Sequence, residues 1–283
     1  MDDQSFNCFI ACIRTGQTNL SHYGPIGNEG ARRLAEELRS SRCALTTLFL
    51  NNTAIGDKGA RYLADALCFL PCSLITLSLF HSNVGVEGAR HLADALRKNR
   101  TLTTVSLNGN NIGNAGTRHL ADALRSPLEK CALRTLILSN NNIDDEGARH
   151  LADALSLPKC TLRELYLANN PIGDEGARHF ADALRSSTCT LTLLDLYNTN
   201  ISDEGAHHFV DAFEDGNACV LNADEMQAIL DRIGCYASSF LKNYVRAGNR
   251  SLMHLFLHGS VEMNMRIRMA LAVPDRIARH NDN

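Results

Sequence analysis

Apolar residues recur through most of this chain at the spacing of an amphipathic helix. In one copy the apolar positions are Ala60, Leu63, Ala64 and Leu67, which share one helical face. The phrase Gly-Ala-Arg-His-Leu-Ala-Asp-Ala-Leu, with small variations, begins at Gly30, Gly59, Gly88, Gly116, Gly147, Gly176 and Gly205. Successive copies are 28 to 31 residues apart. A nearly fixed period of this length predicts a solenoid, in which one small unit stacks on copies of itself.

The half of each repeat that precedes the helix predicts a short β-strand. Its pattern, Leu-x-x-Leu-x-Leu-x-x-Asn-x-Ile, is complete from Leu162 to Ile172. Leucines two residues apart, such as Leu165 and Leu167, point to the same face of a strand. The clear copies start at Leu45, Leu74, Leu102, Leu133, Leu162 and Leu191. Each repeat is therefore predicted to be one strand followed by one helix.

Two columns of polar residues mark the turns between strand and helix. Short side chains after the strands can bond the adjacent backbone and form a buried ladder: Thr53, Ser82, Asn110, Asn141, Asn170 and Thr199. Polar residues before the helices can cap the first turn of their own helix: Asn28, Asp57, Asn114, Asp145, Asp174 and Asp203. Val86 takes this position in one repeat, so we expect a weaker helix start there.

The strand pattern and the Gly-Ala-Arg-x-Leu-Ala-Asp-Ala-Leu helix together resemble the leucine-rich repeat, specifically its long ribonuclease-inhibitor-like subtype. The likeness covers residues 24–213 and includes a cysteine at the start of five of the six clear strands, Arg100 taking that place in the other. It implies an α/β fold, a right-handed βα solenoid shaped as a horseshoe. Parallel strands would line the concave face and helices the convex face. The shared role of the family is protein binding, although fold alone does not decide function.

The two ends depart from the repeat and suggest caps. Residues 1–23 carry apolar positions without the strand pattern and are predicted to cover the first repeat. Residues 24–213 form the repeats. Residues 214–283 are predicted to hold a degenerate repeat, a last repeat near Leu252 and a helical C-terminal cap. This tail is locally basic, which we interpret as a solvated cap face rather than a site for nucleic acid or anionic lipid.

Composition excludes several classes of function. The formal net charge is −3, from 28 basic and 31 acidic residues, so nothing favours a nucleic-acid partner. No apolar run approaches the ~18 residues of a membrane span, and no secretory signal begins at Met1. Phosphate-binding and nucleophile-elbow motifs are absent, so we expect no cofactor and no catalysis. We expect a monomer.

Five cysteines occupy one phase of the repeat, at the start of the strands: Cys43, Cys72, Cys131, Cys160 and Cys189. A disulfide framework is one interpretation. A column of buried free thiols is the better one, because free cysteine packs as a small hydrophobe. Such a column suits a reducing compartment, so we expect a cytoplasmic protein. The Cys-x-x-Cys spacing of a zinc site does not occur.

The helices carry two further columns. One is His91, His119, His150, His179 and His208. Neighbouring helices lie ~8–10 Å apart, too far to share a metal ion, so we expect a structural role and more positive charge near pH ~6. The other pairs an arginine with an aspartate four residues later, beginning with Arg61 and Asp65. Such pairs contribute ~0.2–0.5 kcal/mol each and indicate a balanced, solvated convex surface.

Residues between the strand leucines should face the concave side. Several are large and apolar where solvent should be, which is typical of a protein interface. The predicted partner-binding residues are Phe49, Phe80, Ile137, Glu164, Tyr166, Leu193, Asp195, Tyr197 and Phe256. Some of these side chains, Phe256 above all, could instead pack under the caps.

These positions favour a protein–protein interaction module that acts through its concave face. One alternative is a regulator of a small GTPase, which the family also contains. It would need a polar group on a strand-to-helix loop, such as Asn111 or Asn142. Another is the recognition part of an immune sensor or of a pathogen effector.

Overall fold

A computed structural model describes residues 3–40, 43–69, 72–125 and 131–214. The elements, in chain order, are α1 (Asp3–Arg14), β1 (Asn19–Tyr23), α2 (Gly27–Leu38), β2 (Thr47–Asn51), α3 (Gly56–Leu67), β3 (Thr76–Ser78), α4 (Val86–Lys98), β4 (Thr104–Ser106), α5 (Gly113–Leu124), β5 (Thr135–Ile137), α6 (Asp145–Leu155), β6 (Glu164–Tyr166), α7 (Asp174–Leu184), β7 (Leu193–Asp195) and α8 (Asp203–Glu214). The degenerate repeat, the last repeat and the cap predicted beyond α8, with Phe256, lie outside the described residues.

The strands form one parallel sheet in the order β1-β2-β3-β4-β5-β6-β7. Each repeat pairs with the next in the same register, so Leu48 lies beside Leu77 and Leu77 beside Val105. Helices pack at about twice the spacing of paired strands, ~8–10 Å against ~4.8 Å. The helical side is therefore longer, and the sheet curves inward as the concave face. The predicted βα solenoid is confirmed.

The core lies between the sheet and the row of helices. Strand leucines such as Leu48 and Leu165 and helix residues such as Leu63 and Ala177 are fully buried. The repeated glycine at the start of each helix phrase allows a close approach. A Cβ added at Gly176 would lie 2.5 Å from Ile172 Cγ2 and 2.7 Å from Asp145 Oδ1. The phrase therefore specifies how tightly successive repeats stack.

The buried polar ladder is confirmed. Asn170 is 2 % exposed, and its amide nitrogen donates to the carbonyls of Leu138 and Leu167 at 3.0 and 2.8 Å. Its amide oxygen accepts from the backbone N–H groups of Asn141 and Ile143 in the preceding repeat. One side chain thus satisfies backbone groups of two repeats. Thr53 and Ser82 make a simpler link, with their hydroxyl oxygens 2.9 Å apart.

Asp57 and Asp145 cap the next helix of the stack, so the prediction of own-helix caps was wrong for these two residues. An own-helix cap does occur one residue earlier in one repeat, where Asp144 accepts from the Glu146 N–H of α6. Asp57, on α3, accepts from the backbone N–H groups of Gly85 and Gly88 at the start of α4. Asp145, on α6, does the same for Gly173 and Gly176 at the start of α7. The first-turn N–H groups of a helix have no acceptor within that helix. The carboxylate of the preceding repeat accepts from them and offsets the partial positive charge at the helix N-terminus.

The expectation of a weak start at Val86 was wrong for the same reason. Helix α4, which begins at Val86, receives its cap from Asp57. Because Val86 has no carboxylate to offer the following helix, α5 starts without a side-chain cap. At Gly113, the first residue of α5, the backbone takes a left-handed conformation with φ +57. The Gly113 N–H donates to the carbonyl of Asn141 in the next repeat rather than to a side chain. Gly56 makes the equivalent turn before α3.

The N-terminal segment is only partly a cap. Phe6, Phe9 and Ile13 of α1 are buried against the first repeat, as predicted. Residues 19–23, however, form the strand β1, which pairs in parallel with β2, so their assignment to a strandless cap was wrong. The leucine pattern fails here because Leu20 pairs with Leu48 but His22 stands where the next leucine is expected. The sheet therefore begins one strand earlier than the sequence pattern indicates.

The convex surface carries balanced charge. Predicted pairs occur at 3.1–4.0 Å for Arg61–Asp65, Arg90–Asp94, Arg149–Asp153 and Arg178–Asp182. Arginines also reach a glutamate three residues earlier, as Arg90 reaches Glu87 at 2.9 Å. Within the described residues, no group of three or more histidine, cysteine or acidic side chains could hold a metal ion. No described helix is long and apolar enough to cross a bilayer.

The cysteine column is mostly buried and forms no disulfide. Cys72, Cys131, Cys160 and Cys189 are buried, Cys43 is half-buried, and none of the five is in a disulfide bond. Burial raises the pKa of the Cys72, Cys131 and Cys160 thiols. A raised pKa keeps these groups as neutral thiols, which suits their place in the core.

Candidate protein-binding surface

The concave face presents three rows of side chains, one residue from each strand per row. The first row is Asn19, Thr47, Thr76, Thr104, Thr135, Glu164 and Leu193. The second row is Ser21, Phe49, Ser78, Ser106, Ile137, Tyr166 and Asp195. The third row, at the carboxyl ends of the strands, is Tyr23, Asn51, Phe80, Asn108, Ser139, Ala168 and Tyr197. Most of these side chains are half-buried or exposed.

The large apolar side chains of these rows fall into two groups. The N-terminal patch comprises Tyr23, Phe49 and Phe80, on and just after strands β1 to β3. The C-terminal patch comprises Ile137, Tyr166, Leu193 and Tyr197, together with the acidic residues Glu164 and Asp195, on and just after strands β5 to β7. Strand β4 and the residues after it separate the patches with small polar side chains: Thr104, Ser106 and Asn108.

The N-terminal patch is aromatic and uncharged. Tyr23 is 68 % exposed and Phe49 is 36 % exposed. The half-buried Phe80 ring meets the His81 ring edge-on, with centroids 4.3 Å apart. Below it, the Ser78 hydroxyl donates to Asn51 Oδ1 at 3.0 Å, so the polar groups between the rings bond one another. A partner would meet apolar surface here.

The C-terminal patch combines aromatic and acidic groups. Tyr197 is 58 % exposed, and Glu164, Tyr166, Leu193 and Asp195 are half-buried. Glu164 Oε2 accepts a hydrogen bond from the Thr135 hydroxyl at 3.1 Å. Asp195 Oδ1 accepts from the Tyr197 backbone N–H at 3.1 Å. Both carboxylates are therefore held in place on adjacent strands.

The edge of the sheet beyond the third row is shaped by left-handed residues, one per repeat: Asn52, His81, Gly109, Asn140, Asn169 and Asn198. Asparagine tolerates this conformation better than most residues. Amides bond along the edge, since Asn140 donates to Asn108 and Asn198 to Asn169. Gly109 also makes room for His81, whose ring atoms would lie 2.5–2.7 Å from a Cβ added there.

Of the predicted partner-binding residues, all but Phe256 lie in the three rows. The structure brings Ile137, Tyr166, Leu193 and Tyr197 together with both acids, and it places Phe49 and Phe80 in the other patch. Tyr23 was missed, because residues 1–23 were assigned to a cap. Counting back 28 residues from Asn51 leads to Tyr23, its partner in the sheet. The repeat period was therefore the signal that could have found it.

The loop asparagines considered for a GTPase regulator have structural roles. Asn142 is exposed with φ +55, a left-handed turn position. Asn111 is exposed, and its backbone N–H donates to the Val84 carbonyl of the preceding repeat at 3.1 Å. Both residues shape the turn that follows the third row.

Comparison with known proteins supports the repeat assignment. A family profile described as a leucine-rich repeat matches residues 43–64, 98–121, 130–152, 159–181 and 188–207. No curated protein matches the chain.

Three solved structures are similar to parts of the chain. The first is actin-binding site 2 of leiomodin-1, with 16% identity, a TM-score of 0.41 and coverage of 58% of this chain and 96% of that one. The second is the C-terminal domain of tropomodulin from Caenorhabditis elegans, with 16% identity, a TM-score of 0.31 and coverage of 76% and 92%. The third is an internalin from Listeria monocytogenes, with 17% identity, a TM-score of 0.31 and coverage of 68% and 56%.

The matched repeats and the sheet agree in position. Every described strand from β2 to β7 is followed by a helix of the repeated phrase. Five copies of this unit match the family directly. Five segments of the chain are therefore similar to leucine-rich repeats.

Proposed function

We propose that this protein is a non-catalytic interaction module that binds a protein partner through its concave sheet. The observation that carries the proposal is the exposure of aromatic side chains on the sheet. Tyr23, Phe49 and Tyr197 stand in rows where a solvated sheet would carry polar residues. Aromatic side chains set among hydroxyl and amide groups are the usual anchors of protein interfaces.

The convex face supports the same choice by contrast. Its exposed groups are charged residues that pair with neighbours on their own helix, as Arg178 pairs with Glu175 and Asp182. Such pairs satisfy one another and leave little to offer a partner. The concave rows instead hold apolar area that only another molecule would remove from water.

A photocrosslinking experiment separates the two faces. A benzophenone amino acid replaces Tyr197 or Tyr23 on the concave face, or Arg61 on the convex face, in the full chain. After irradiation in cell lysate, we expect the same discrete crosslinked protein from one or both concave positions and none from Arg61. Equal crosslinking from Arg61 would contradict the proposal.

A double substitution tests the predicted anchors. Tyr166→Ala with Tyr197→Ala is expected to abolish partner capture, because the loss of each ring removes a large contact area. The unfolding transition should stay cooperative. The matched control is Arg61→Ala with Asp65→Ala on α3, which should capture as the wild type does. Capture that survives the tyrosine substitutions would refute the role of these anchors.

We further propose the ribonuclease-inhibitor-like subtype and a cytoplasmic location. The 28–31-residue period, a helix in every repeat and cysteine at the start of the strands support the subtype. The lack of disulfide bonds among the eight described cysteines supports a reducing compartment. We also propose a monomer, which size-exclusion chromatography with light scattering tests directly.

A further inference from the structure

The distribution of charge on the concave face is one-sided. Glu164 and Asp195 are the charged residues of the three rows, and every other position in them is uncharged. Both belong to the C-terminal patch, on the adjacent strands β6 and β7. The electrostatic character of this sheet is thus set by two carboxylates at one end.

The two carboxylates lie close enough to share one ligand group. Glu164 pairs in register with Leu193, and Asp195 pairs with Tyr166. The two acids are therefore diagonal neighbours, one strand apart and two residues apart along the strand. Standard sheet spacings place their Cα atoms about 8 Å apart. Tyr166 and Leu193 occupy the other diagonal of the same square.

Both carboxylates accept hydrogen bonds from neighbouring residues. Glu164 Oε2 and Asp195 Oδ1 accept the hydrogen bonds from Thr135 and Tyr197 described above. The ion pairs of the described residues lie on and beside the helices, and none of them includes Glu164 or Asp195. Arg134 and Arg163, exposed residues that precede β5 and β6, are not among these ion pairs either. The convex carboxylates, by contrast, are widely paired.

Two neighbouring carboxylates favour a cationic ligand, because hydrogen bonds between charged groups are shorter and stronger than neutral ones. A guanidinium offers five N–H donors in a planar fork, so it can bond two carboxylates at once, and its flat face stacks on aromatic rings. The square of Glu164, Asp195, Tyr166 and Leu193, with Tyr197 beside it, provides both kinds of contact. An ammonium group would match the charge of the carboxylates but has no planar pair of donors to bond both of them.

We propose that the C-terminal patch binds an arginine side chain of the protein partner, with its guanidinium between Glu164 and Asp195 and its neighbouring apolar residues on Tyr197 and Ile137. This inference rests on the proposed function and names the chemistry of the partner. The N-terminal patch, having no charge, supplies apolar contact to a second part of the same partner. An arginine flanked by apolar residues is therefore the recognition element.

Peptide display on the intact chain tests the inference. A random library of 12-residue peptides is selected on the wild-type protein, and selected peptides are then measured against three variants. E164Q with D195N removes both charges and keeps the hydrogen bonds to Thr135 and Tyr197, because each amide oxygen still accepts. Tyr197→Ala reports whether a peptide uses the concave face. E175Q with D182N removes two carboxylates from the convex helix α7 as the matched control.

We expect Tyr197-dependent peptides to be enriched in arginine and to bind E164Q with D195N about tenfold or more weakly, as the loss of a charge-assisted pair predicts. The convex control should bind them unchanged. Replacing the arginine of a selected peptide by lysine should weaken binding less than replacing it by citrulline.

The alternative outcomes are distinguishable. Tyr197-dependent peptides without arginine that bind E164Q with D195N normally would overturn this inference and leave the proposed function standing. Peptides that bind without regard to Tyr197 would count against the concave face itself. A lower thermal unfolding temperature of E164Q with D195N than of the convex control would assign the carboxylates to folding instead, and would also overturn the inference.

Discussion

The N-terminal and C-terminal patches occupy the same rows of one sheet, yet they differ in chemistry. The first joins Tyr23, Phe49 and Phe80 without a charge, and the second sets Tyr166 and Tyr197 beside Glu164 and Asp195. Backbone register is the same in both, so the difference comes only from side chains that the repeat leaves free to vary. The comparison teaches that the scaffold residues fix geometry and that the row residues fix recognition.

The supports beneath the two patches also differ. Asn170, below the C-terminal patch, bonds backbone groups of two repeats through both its nitrogen and its oxygen. The Thr53 side chain, below the N-terminal patch, bonds the Leu50 carbonyl and the Ser82 hydroxyl through its single hydroxyl group. The C-terminal patch therefore depends more on a single side chain.

The largest effect should follow from removing these supports. Asn170→Ala leaves the buried N–H groups of Asn141 and Ile143 without an acceptor, and we expect it to lower the free energy of unfolding by about 4 kcal/mol. Thr53→Ala should lower it by only about 1 kcal/mol. Urea denaturation followed by circular dichroism measures both. Equal losses would show that the two halves are supported alike.

A salt titration sharpens the contrast in charge. Peptides that need Glu164 and Asp195 should bind about tenfold more weakly when sodium chloride rises from about 0.05 M to about 0.5 M, because added ions screen the pair. Peptides that lose binding on Tyr23→Ala should change by less than about twofold, since apolar contact is not screened. Fluorescence anisotropy measures both. The same salt response for the two peptide sets would refute the distinction.

The inter-repeat caps give a smaller effect that also differs along the stack. Asp145→Ala removes the acceptor for Gly173 and Gly176 and should cost about 1 kcal/mol of unfolding free energy. Asn28 takes the same position in its repeat, but its side chain is exposed and makes no hydrogen bond to the described residues, so Asn28→Ala should change stability by nearly zero. Comparable losses from both would favour capping within each helix.

The smallest effect concerns pH and the N-terminal patch. Burial lowers the pKa of His22, which precedes Tyr23 and packs on Phe6 and Phe9. The folded chain therefore prefers neutral His22, and the unfolded chain binds the proton more readily. Stability should fall as the pH drops below about 6.5 and level off below the lowered pKa.

The control for this pH effect is His22→Phe, which keeps an aromatic contact with α1. It should reduce the difference in unfolding free energy between pH 7.5 and pH 5. Asn170→Gln, at the other end of the sheet, should leave that difference unchanged. An identical pH dependence in the wild type and in His22→Phe would assign the loss to other groups, among which His150 also has a pKa lowered by burial.

Much of the fold could be predicted because the same pattern of apolar and polar positions recurs in every repeat. Leu48 and Leu77 recur one period apart and pair in register. The ladder residues from Thr53 to Asn170 each follow the first leucine of their strand pattern by the same number of residues. The residues of the C-terminal patch could be predicted from the same spacing, because they lie between the strand leucines. What failed was the first strand, because His22 replaces a leucine and one substitution hides a pattern of so few positions.

The cap residues show why local rules were insufficient. A carboxylate at the start of a helix ordinarily caps that helix, and sequence proximity supports this interpretation for Asp57 and Asp145. In the stack, the free N–H groups of the next helix lie closer to the carboxylate than those of its own helix, as the bonds to Gly85 and Gly173 show. The competition is decided by distances between repeats, which no local pattern encodes.

The sequence by itself determined the solenoid, its core and the residues that its strands expose, since periodicity fixes which side chains meet the next copy. Only the tertiary structure decided that Tyr23 joins Phe49 and Phe80, that Asp57 and Asp145 cap the next helix, and that Glu164 and Asp195 are diagonal neighbours on adjacent strands. These relations depend on distances between residues about one period apart in the chain. Packing sets those distances, and the identity of each residue alone does not.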